Sequence, residues 1–275
     1  MLLGNPDFSV TPTQLSPAPD DLLACFDQGR VLSAWPNGAL PTLAQAAPLL
    51  PPGFAPFELG RAGTRGLYAP DPYTCVKIEE GRGLRYQTVQ IFREMSCDDA
   101  ALLTSAWHLW TWYDHHRFCG VCASPLRPCA TERALVCPAC SNLVFPAIAP
   151  AVIVAVTHGD RILLAKSARS PAARYALISG YVEVGETLEH AVRREVAEEV
   201  GLKLGAVRYL GDQPWGISGS HMFAFHAQAQ SDGPIVCQAS EIAHAHWVAR
   251  DALQPGAPSM SIAFALMERF RQGTL

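Results

Sequence analysis

Hydrophobic positions follow two different periods along this chain, and they are unevenly distributed. From Ala151 to Thr157 the residues are almost all apolar, and Arg161–Ala165 is a shorter run of the same kind. Separated by His158-Gly159-Asp160, these runs predict two strands joined by a hairpin turn. A short apolar stretch at Leu177–Ser179 and a glycine-containing loop lead into a helical pattern from about Thr187 to Val200. Gly201 stands where a helix C-cap glycine belongs. Strands are expected at Val207–Leu210, His221–His226 and His246–Val248, and a last helix over Ser261–Arg271. Earlier, Ser96 and Asp99 resemble a helix-opening capping box. The helix expected behind them reaches Tyr113 and carries Leu102, Leu103, Trp107, Leu109 and Trp110, an aromatic cluster suited to a core or an interface. Residues 1 to 70 are rich in Pro, Ala and Leu with weak periodicity. Pro48–Gly53 and Ala69–Pro72 read as turns between short elements.

A length of 275 residues exceeds one average domain. The composition shifts predict an N-terminal domain over 1–114, a cysteine segment over 115–147 and a third domain over 148–275. A net charge of -4 argues against a general binder of phosphate backbones. It leaves room for a nucleotide substrate, because metal ions can supply positive charge locally. Met1–Val10 carries neither a basic n-region nor an apolar core of signal-peptide length. No stretch approaches the ~18 apolar residues of a membrane span. These features predict a soluble, cytoplasmic protein with no membrane partner. Of nine cysteines, Cys25, Cys75, Cys97, Cys129 and Cys237 are scattered and read as reduced core residues. Cys129 has no obvious partner.

The helix near 187–200 is where chemistry first shows. At ~100° per residue, with Leu188 at zero, Val192 falls at about 40°, Val196 at about 80° and Ala191 at about 300°. Glu195 falls at about 340°, Glu199 at about 20° and Glu198 at about 280° on the same wheel. Three carboxylates therefore lie inside or at the edge of the face that should be buried. Like charges are not buried unless neutralised. Protonation is one route; hard divalent cations such as Mg²⁺ or Mn²⁺, which take oxygen ligands, are the better one. Spacings of three and four residues place the three acids on one patch.

Cys119-x-x-Cys122, 14 intervening residues and Cys137-x-x-Cys140 carry the spacing of a four-cysteine zinc ribbon. Paired knuckles bring four thiolates to the corners of a tetrahedron, and a closed Cys₄ site is structural rather than catalytic. One Zn²⁺ per chain is expected. His115 and His116 lie nearby, but four cysteines already suffice.

From Gly180 the chain reads Gly180-x5-Glu186-x7-Arg194-Glu195-Val196-x-Glu198-Glu199-x-Gly201-Leu202, which resembles the Nudix box at every fixed position. A coincidence at those identities is on the order of one in a million. The resemblance implies an α/β fold: a Nudix α/β/α sandwich with a mixed sheet, preceded here by a zinc ribbon and an N-terminal α+β domain. It implies a pyrophosphate hydrolase in which Glu195, Glu198 and Glu199 hold divalent metal. Metal neutralises phosphate charge and lowers the pKa of an attacking water. Arg194 would pair with neighbouring carboxylates, and Gly180 and Gly185 would let the backbone turn before the helix. The family tends to use a further glutamate on a later loop, and Glu241 is the candidate for metal or base work.

A zinc ribbon directly before a Nudix domain resembles the NADH pyrophosphatase family. That family carries Ser-Gln-Pro-Trp-Pro-Phe-Pro-x-Ser after the box. Here the stretch is Asp212-Gln213-Pro214-Trp215-Gly216-Ile217-Ser218-Gly219-Ser220, so Gln213, Pro214, Trp215 and Ser220 match and Asp212, Gly216, Ile217 and Ser218 depart. Loss of two fixed φ angles and a ring predicts a looser loop, a raised KM and broader tolerance of AMP-containing dinucleotides, with KM lowered by restoring Pro-Phe-Pro at 216–218. Ser261-Ile262-Ala263 resembles a late substrate-contacting motif, centred on Ala263. Phe145 and Tyr181 correspond to aromatic positions where the family holds a base ring. The resemblance also implies a homodimer, in which Phe145 serves a neighbour's site.

The implied reaction is hydrolysis of NADH or NAD⁺ to (reduced) nicotinamide mononucleotide and AMP, extending to NAD caps on RNA. A second reading is another Nudix substrate such as ADP-ribose or a diadenosine polyphosphate. A third is a zinc-ribbon nucleic-acid-binding protein with a degenerate hydrolase domain. The intact glutamates oppose that one, as does the ribbon's low basic content: Arg127 and Arg133, with Arg117 just before it.

Overall fold

The computed structural model describes residues 16–74, 76–169, 174–254 and 260–275. Contacts group these into two units, one holding residues up to 147 together with 216–219, the other holding the rest from 148 onward.

In the first unit the strands are short. They are β1 (Leu22–Leu23), β2 (Phe26–Asp27) and β3 (Arg30–Ala34), then, after helix α1 (Leu43–Ala46), β4 (Pro56–Ala62), β5 (Arg65–Pro70) and β6 (Leu84–Thr88). They form two three-stranded sheets, ordered β1-β5-β4 and β2-β3-β6. Leu23, Cys25, Leu32, Ala46, Ile78 and Leu84 make one small core. Strands of two to seven residues are too short for a period of two to register, which is why the sequence here showed only weak periodicity.

Helix α2 (Cys97–His115) starts where Ser96 Oγ accepts from the backbone N–H of Asp99 at 3.2 Å. Of its aromatic residues Trp112 and Tyr113 are buried, while Trp107 and Trp110 are half-buried and pack on Phe26 with centroids 5.3 and 5.4 Å apart. The loop at 216–218, expected to be looser, is closely packed at its first residue. Gly216 is buried, and a Cβ on it would stand 2.2 Å from the carbonyl oxygen of Thr104. Backbone fills the space that a proline ring would need. Three two-residue strands, β7 (Arg127–Pro128), β8 (Leu135–Val136) and β9 (Leu143–Val144), complete the unit as an antiparallel sheet.

The second unit is an α/β/α sandwich on a six-stranded mixed sheet. Its elements are β10 (Ala149–His158), β11 (Arg161–Ser167), β12 (Ile178–Tyr181), α3 (Leu188–Val200), β13 (Leu204–Trp215), β14 (Ser220–Ala229), β15 (Ile242–Ala249) and α4 (Ile262–Arg271). Strand order is β13-β14-β10-β11-β15, with β12 paired to β10. The β10–β14 pair is parallel, and the other pairs are antiparallel. β10 is apolar from Ala149 to Val156 because both its faces are covered. Val152, Val154 and Val156 join α3's Ala191, Val192 and Val196 in one core. Ile153 and Ala155 join α4's Ile262, Leu266 and Phe270 in the other. At about 25 cal/mol per Å² of apolar surface, such double coverage makes this sheet the main stabilising body of the unit.

No described helix is long and apolar enough to cross a membrane. The described cysteines are all free thiols, but only Cys25 among the scattered ones is buried. Cys237 is half-buried and packs against the core beneath α3, whereas Cys97 is exposed and Cys129 half-buried, so the expectation that the scattered cysteines are core residues is corrected for these two. Cys75 lies outside the described residues.

Candidate active site and metal centre

The carboxylate site is built on α3. Gly185, at φ +83°, turns the chain ahead of it. Thr187 Oγ1 caps the helix by accepting from His190 N–H at 3.2 Å, and Gly201 closes it at φ +72°. The face that packs Ala191, Val192 and Val196 into the core also carries Glu195, 9% exposed, and Glu199, 7% exposed. Glu198, at the edge of the wheel, keeps 54% of its side chain exposed. Burial, then the neighbouring charges of Glu195, Glu241 and Glu198, push the Glu199 carboxyl up to about 7. Burial raises Glu195 too, against the lowering effect of Arg194.

Glu241 comes from 42 residues beyond Glu199. Gln238 N–H donates to the Glu199 carbonyl at 3.0 Å and Ala168 N–H to the Glu241 carbonyl at 2.7 Å. These bonds tie the loop before β15 to the end of α3 and to β11. Arg169 Nη2 donates to Glu241 Oε1 at 2.6 Å. The sequence offered no sign of that partnership, because nothing in the local pattern distinguishes Arg169.

Arg194 is the organising cation. It donates to both Glu186 oxygens at 2.9 Å, to Glu195 at 2.8 Å, to Glu198 at 3.1 Å and to the Tyr181 carbonyl at 2.9 Å. The fork to Glu186 is bidentate, which fixes the guanidinium plane. Glu186 was given no role above, although its fixed place in the motif was a usable signal. Gly180 has a different job from the one expected. It lies within β12 rather than at a turn, and a Cβ there would stand 2.0–2.4 Å from the Glu195 carboxylate atoms. Only glycine leaves room for that carboxylate.

Of the expected substrate residues, Trp215, Ser220 and Tyr181 adjoin one another, and Gln213 meets the start of α4 beside Ala263. Tyr181 is 53% exposed, and its hydroxyl accepts from Ser220 Oγ at 3.3 Å. Gln213 is 4% exposed and both ends of its amide are used inside the protein. Nε2 donates to the Met260 carbonyl at 2.5 Å, and Oε1 accepts from Ile262 N–H at 2.8 Å. Ser261, the N-cap of α4, makes no side-chain cap of its own, so Gln213 satisfies that first helical N–H. Ala263 lies one residue on and packs against the α4 core. Trp215 is half-buried at the end of β13. Phe145, in the other unit, is exposed.

The four ribbon cysteines converge. Cys119, Cys122, Cys137 and Cys140 place their sulfurs within 4.8 Å of one another, with separations of 3.7, 3.4 and 3.5 Å for three of the pairs. Thiolates bound at about 2.3 Å to one tetrahedral zinc are about 3.8 Å apart, so the donor set fits that ion. The two knuckles repeat each other. Ala123 N–H returns to the Cys119 carbonyl and Ser141 N–H to that of Cys137, at 2.8 and 2.9 Å. Ala123 and Ser141 both sit at φ +59°. Hydrogen bonds from Ser124 lower Cys122 to about 6. Cys140, despite the backbone bond from Asn142, is pushed up to about 12 by Cys137 and Cys122. Four crowded thiolates require a cation. Cys129 stands apart, with Thr131 Oγ1 at 3.5 Å. The carboxylates are less tightly gathered, but their chemistry suits a hard divalent ion: oxygen donors only, two of them buried and mutually repelling.

A sandwich whose glutamate helix faces a glycine strand defines a Nudix hydrolase, and a model of the NUDIX domain matches residues 147–267. A model of the NADH pyrophosphatase zinc ribbon domain matches residues 114–145. A protein of Stutzerimonas stutzeri (strain A1501) named NAD-capped RNA hydrolase NudC is 41% identical over 189 residues, 68% of this chain and 68% of its own. One of the same name from Salmonella typhi is 43% identical over 156 residues, 57% of this chain and 60% of its own. The crystal structure of a NUDIX hydrolase from Nitrosomonas europaea overlays 57% of this chain and 91% of its own, with a TM-score of 0.47 and 18% identity. The chain belongs to the NADH pyrophosphatase family of Nudix hydrolases, with a structural zinc ribbon and a divalent-metal hydrolase domain.

Proposed function

We propose that the chain hydrolyses the pyrophosphate bond of NADH and NAD⁺, releasing AMP and (reduced) nicotinamide mononucleotide, and removes NAD caps from RNA. The observation that carries this reading is the pair of buried carboxylates, Glu195 and Glu199, beside Glu241. Arg194 and Arg169 offset only part of their charge, so bound cations or protons must neutralise the rest, and the cleaved bond belongs to the polyanion that such cations bind. Divalent ions, Mg²⁺ or Mn²⁺, supply charge neutralisation and water activation when bound. Glu195, Glu198, Glu199 and Glu241 are the residues that would hold them. Arg194 keeps the Glu195 and Glu198 rotamers in place. In this reading Glu241, paired to Arg169, is also the group that takes a proton from the attacking water.

Tyr181, Trp215, Ser220 and Ala263 form the substrate-facing set in this reading. Gln213 acts on substrate through the Met260–Ile262 backbone that it holds. The proposal includes three parts, 1–114, 115–147 and 148–275, one Zn²⁺ per chain, a cytoplasmic location, and a homodimer in which Phe145 serves the partner's site. The names of the relatives support the NAD-cap activity, and the matching NADH pyrophosphatase zinc ribbon domain supports a dinucleotide. A nucleic-acid-binding protein without turnover is disfavoured by the complete carboxylate set. Product analysis across NADH, NAD⁺, ADP-ribose and NAD-capped RNA tests the proposal. AMP released from the first two and a trimmed 5′ end on the last are expected. Efficient cleavage of ADP-ribose alone would remove the substrate assignment.

A further inference from the structure

Away from the carboxylates, three rings stand together on the sheet without having been assigned any role. β15 alternates: Ala245 and Trp247 pack into the core beneath α3, whereas His246 lies opposite Leu164, which belongs to the core beneath α4. His244, two residues earlier, shares that side. Tyr175 arrives from the segment ahead of β12, where Ala176 and Ala165 exchange backbone hydrogen bonds of 2.9 and 2.8 Å. Its ring meets His246 edge-on at 4.7 Å and its hydroxyl bonds His244 Nδ1 at 2.9 Å, and the two imidazoles lie 5.2 Å apart. The cluster is held by two strands yet left open, with Tyr175 39% exposed and His244 exposed. His246 Nδ1 is buried without a hydrogen-bond partner among the described residues.

The position of this cluster gives it meaning. Leu177 also belongs to the α4 side, and Tyr181 meets Ser220, two residues before Met222 of that same core. Tyr175 and Tyr181 therefore lie on one face of the sheet, at the two ends of one extended segment. The carboxylates adjoin both ends. Glu195 abuts Gly180, next to Tyr181, and Glu241 lies three residues before His244. Gly180 pairs with Val152 of the core beneath α3, so the carboxylates stand on the opposite face from the rings, and a dinucleotide with a ring at each end would carry its pyrophosphate over the strand ends to reach them. Lys166 is the register partner of His244, and it adds a cation beside the rings. β15 ends the path of the sheet, so a ribose 3′-oxygen carrying more chain would leave over an edge rather than meet another strand.

We propose that Tyr175, His244 and His246 form a second stacking platform, for the purine base of the substrate's AMP half; this rests on the dinucleotide reading given above. Base-on-ring stacking tolerates any attached chain, so the platform serves free dinucleotide and capped RNA alike. Nicotinamide mononucleotide is left to the Tyr181 end.

Inhibition of NADH hydrolysis by each product tests the assignment. Y175A and H246A are expected to raise the Ki of AMP at least about 5-fold and to raise the KM of NADH with it. The Ki of nicotinamide mononucleotide should move less than about twofold. Y175F keeps the ring and loses only the hydroxyl, so it should restore AMP inhibition, which a general loss of structure would not allow. Equal shifts for both products, or no shift for AMP, would overturn the platform. If the wild-type enzyme does not cleave NADH, the functional reading is what fails. Titration calorimetry of AMP with the same variants then decides the platform by itself.

Discussion

The zinc ribbon and the carboxylate cluster solve one problem, the gathering of like charges, by opposite means. In the ribbon all four thiols come from a stretch of 22 residues, Cys119 to Cys140. Each knuckle is set by its own backbone turn, with Ala123 and Ser141 in the same left-handed conformation. In the carboxylate cluster only part of the site is local. Glu195 needs the missing Cβ of Gly180, Arg194 needs Glu186, and Glu241 needs a loop fastened to the end of α3. The ribbon is a site whose ligands make the fold around the ion. The carboxylate site is one that a large sheet, already stable, holds under electrostatic strain. Metal loss should therefore unfold the first and spare the fold of the second.

The sharpest way to break that contrast is at Glu199. Glu199→Gln removes charge but keeps shape, and should lower kcat by about 10²-fold or more with an unchanged melting temperature. Near-normal turnover at saturating Mg²⁺ would refute the role of Glu199. Gly180→Ala comes next: the added methyl displaces the Glu195 carboxylate, and shifts of about 1 Å cost up to roughly 10²-fold in rate. Steady-state kinetics at several Mg²⁺ concentrations should show a fall of at least about 10-fold that extra metal does not rescue.

On the ribbon side, Cys122→Ser should release the zinc, about one per chain by elemental mass spectrometry, and lower the melting temperature by on the order of 10 °C. Equal stability without zinc would rule out a structural site. Smaller is Gly216→Pro, whose ring would collide with the Thr104 carbonyl. It should cost about 1–3 kcal/mol in denaturant unfolding, and a lowered KM for NADH instead would restore the looser-loop idea.

The smallest effect is a pH slope. Glu199 titrates at about 7 in the fold against an ordinary 4.5, so the native state holds a proton that the unfolded chain releases. That contribution is complete below the unfolded value and is lost as pH rises through about 7. In chelator the melting temperature should fall across this window, and Mg²⁺ should remove the fall. A flat profile in chelator would mean that the carboxylates are better solvated than their burial indicates.

Much of the catalytic helix was legible before any coordinates. Its extent from about Thr187, its C-cap at Gly201 and the misplacement of Glu195 and Glu199 on an apolar face follow from a period of 3.6 and a cap glycine. The strands β13, β14 and β15 are longer than their apolar cores suggested, since ladder pairing extends past the hydrophobic stretch. The N-terminal sheets escaped because very short strands leave no periodic trace. Gln213 was read as a substrate contact from its motif, while the fold shows its amide engaged with Met260 and Ile262.

What the sequence by itself determined were the four-cysteine set and the helix carboxylates, whose members lie within a knuckle or a helical turn of one another, because backbone geometry over a few residues fixes their spacing. Only the tertiary structure decided which groups meet from afar: Glu241 with Arg169, Gly180 with Glu195, Gly216 with Thr104, and Tyr175 with His244 and His246. Such meetings depend on strand register and on the volume left by a side chain that is absent. Neither leaves a period in the sequence, since each is set by a partner dozens of residues away.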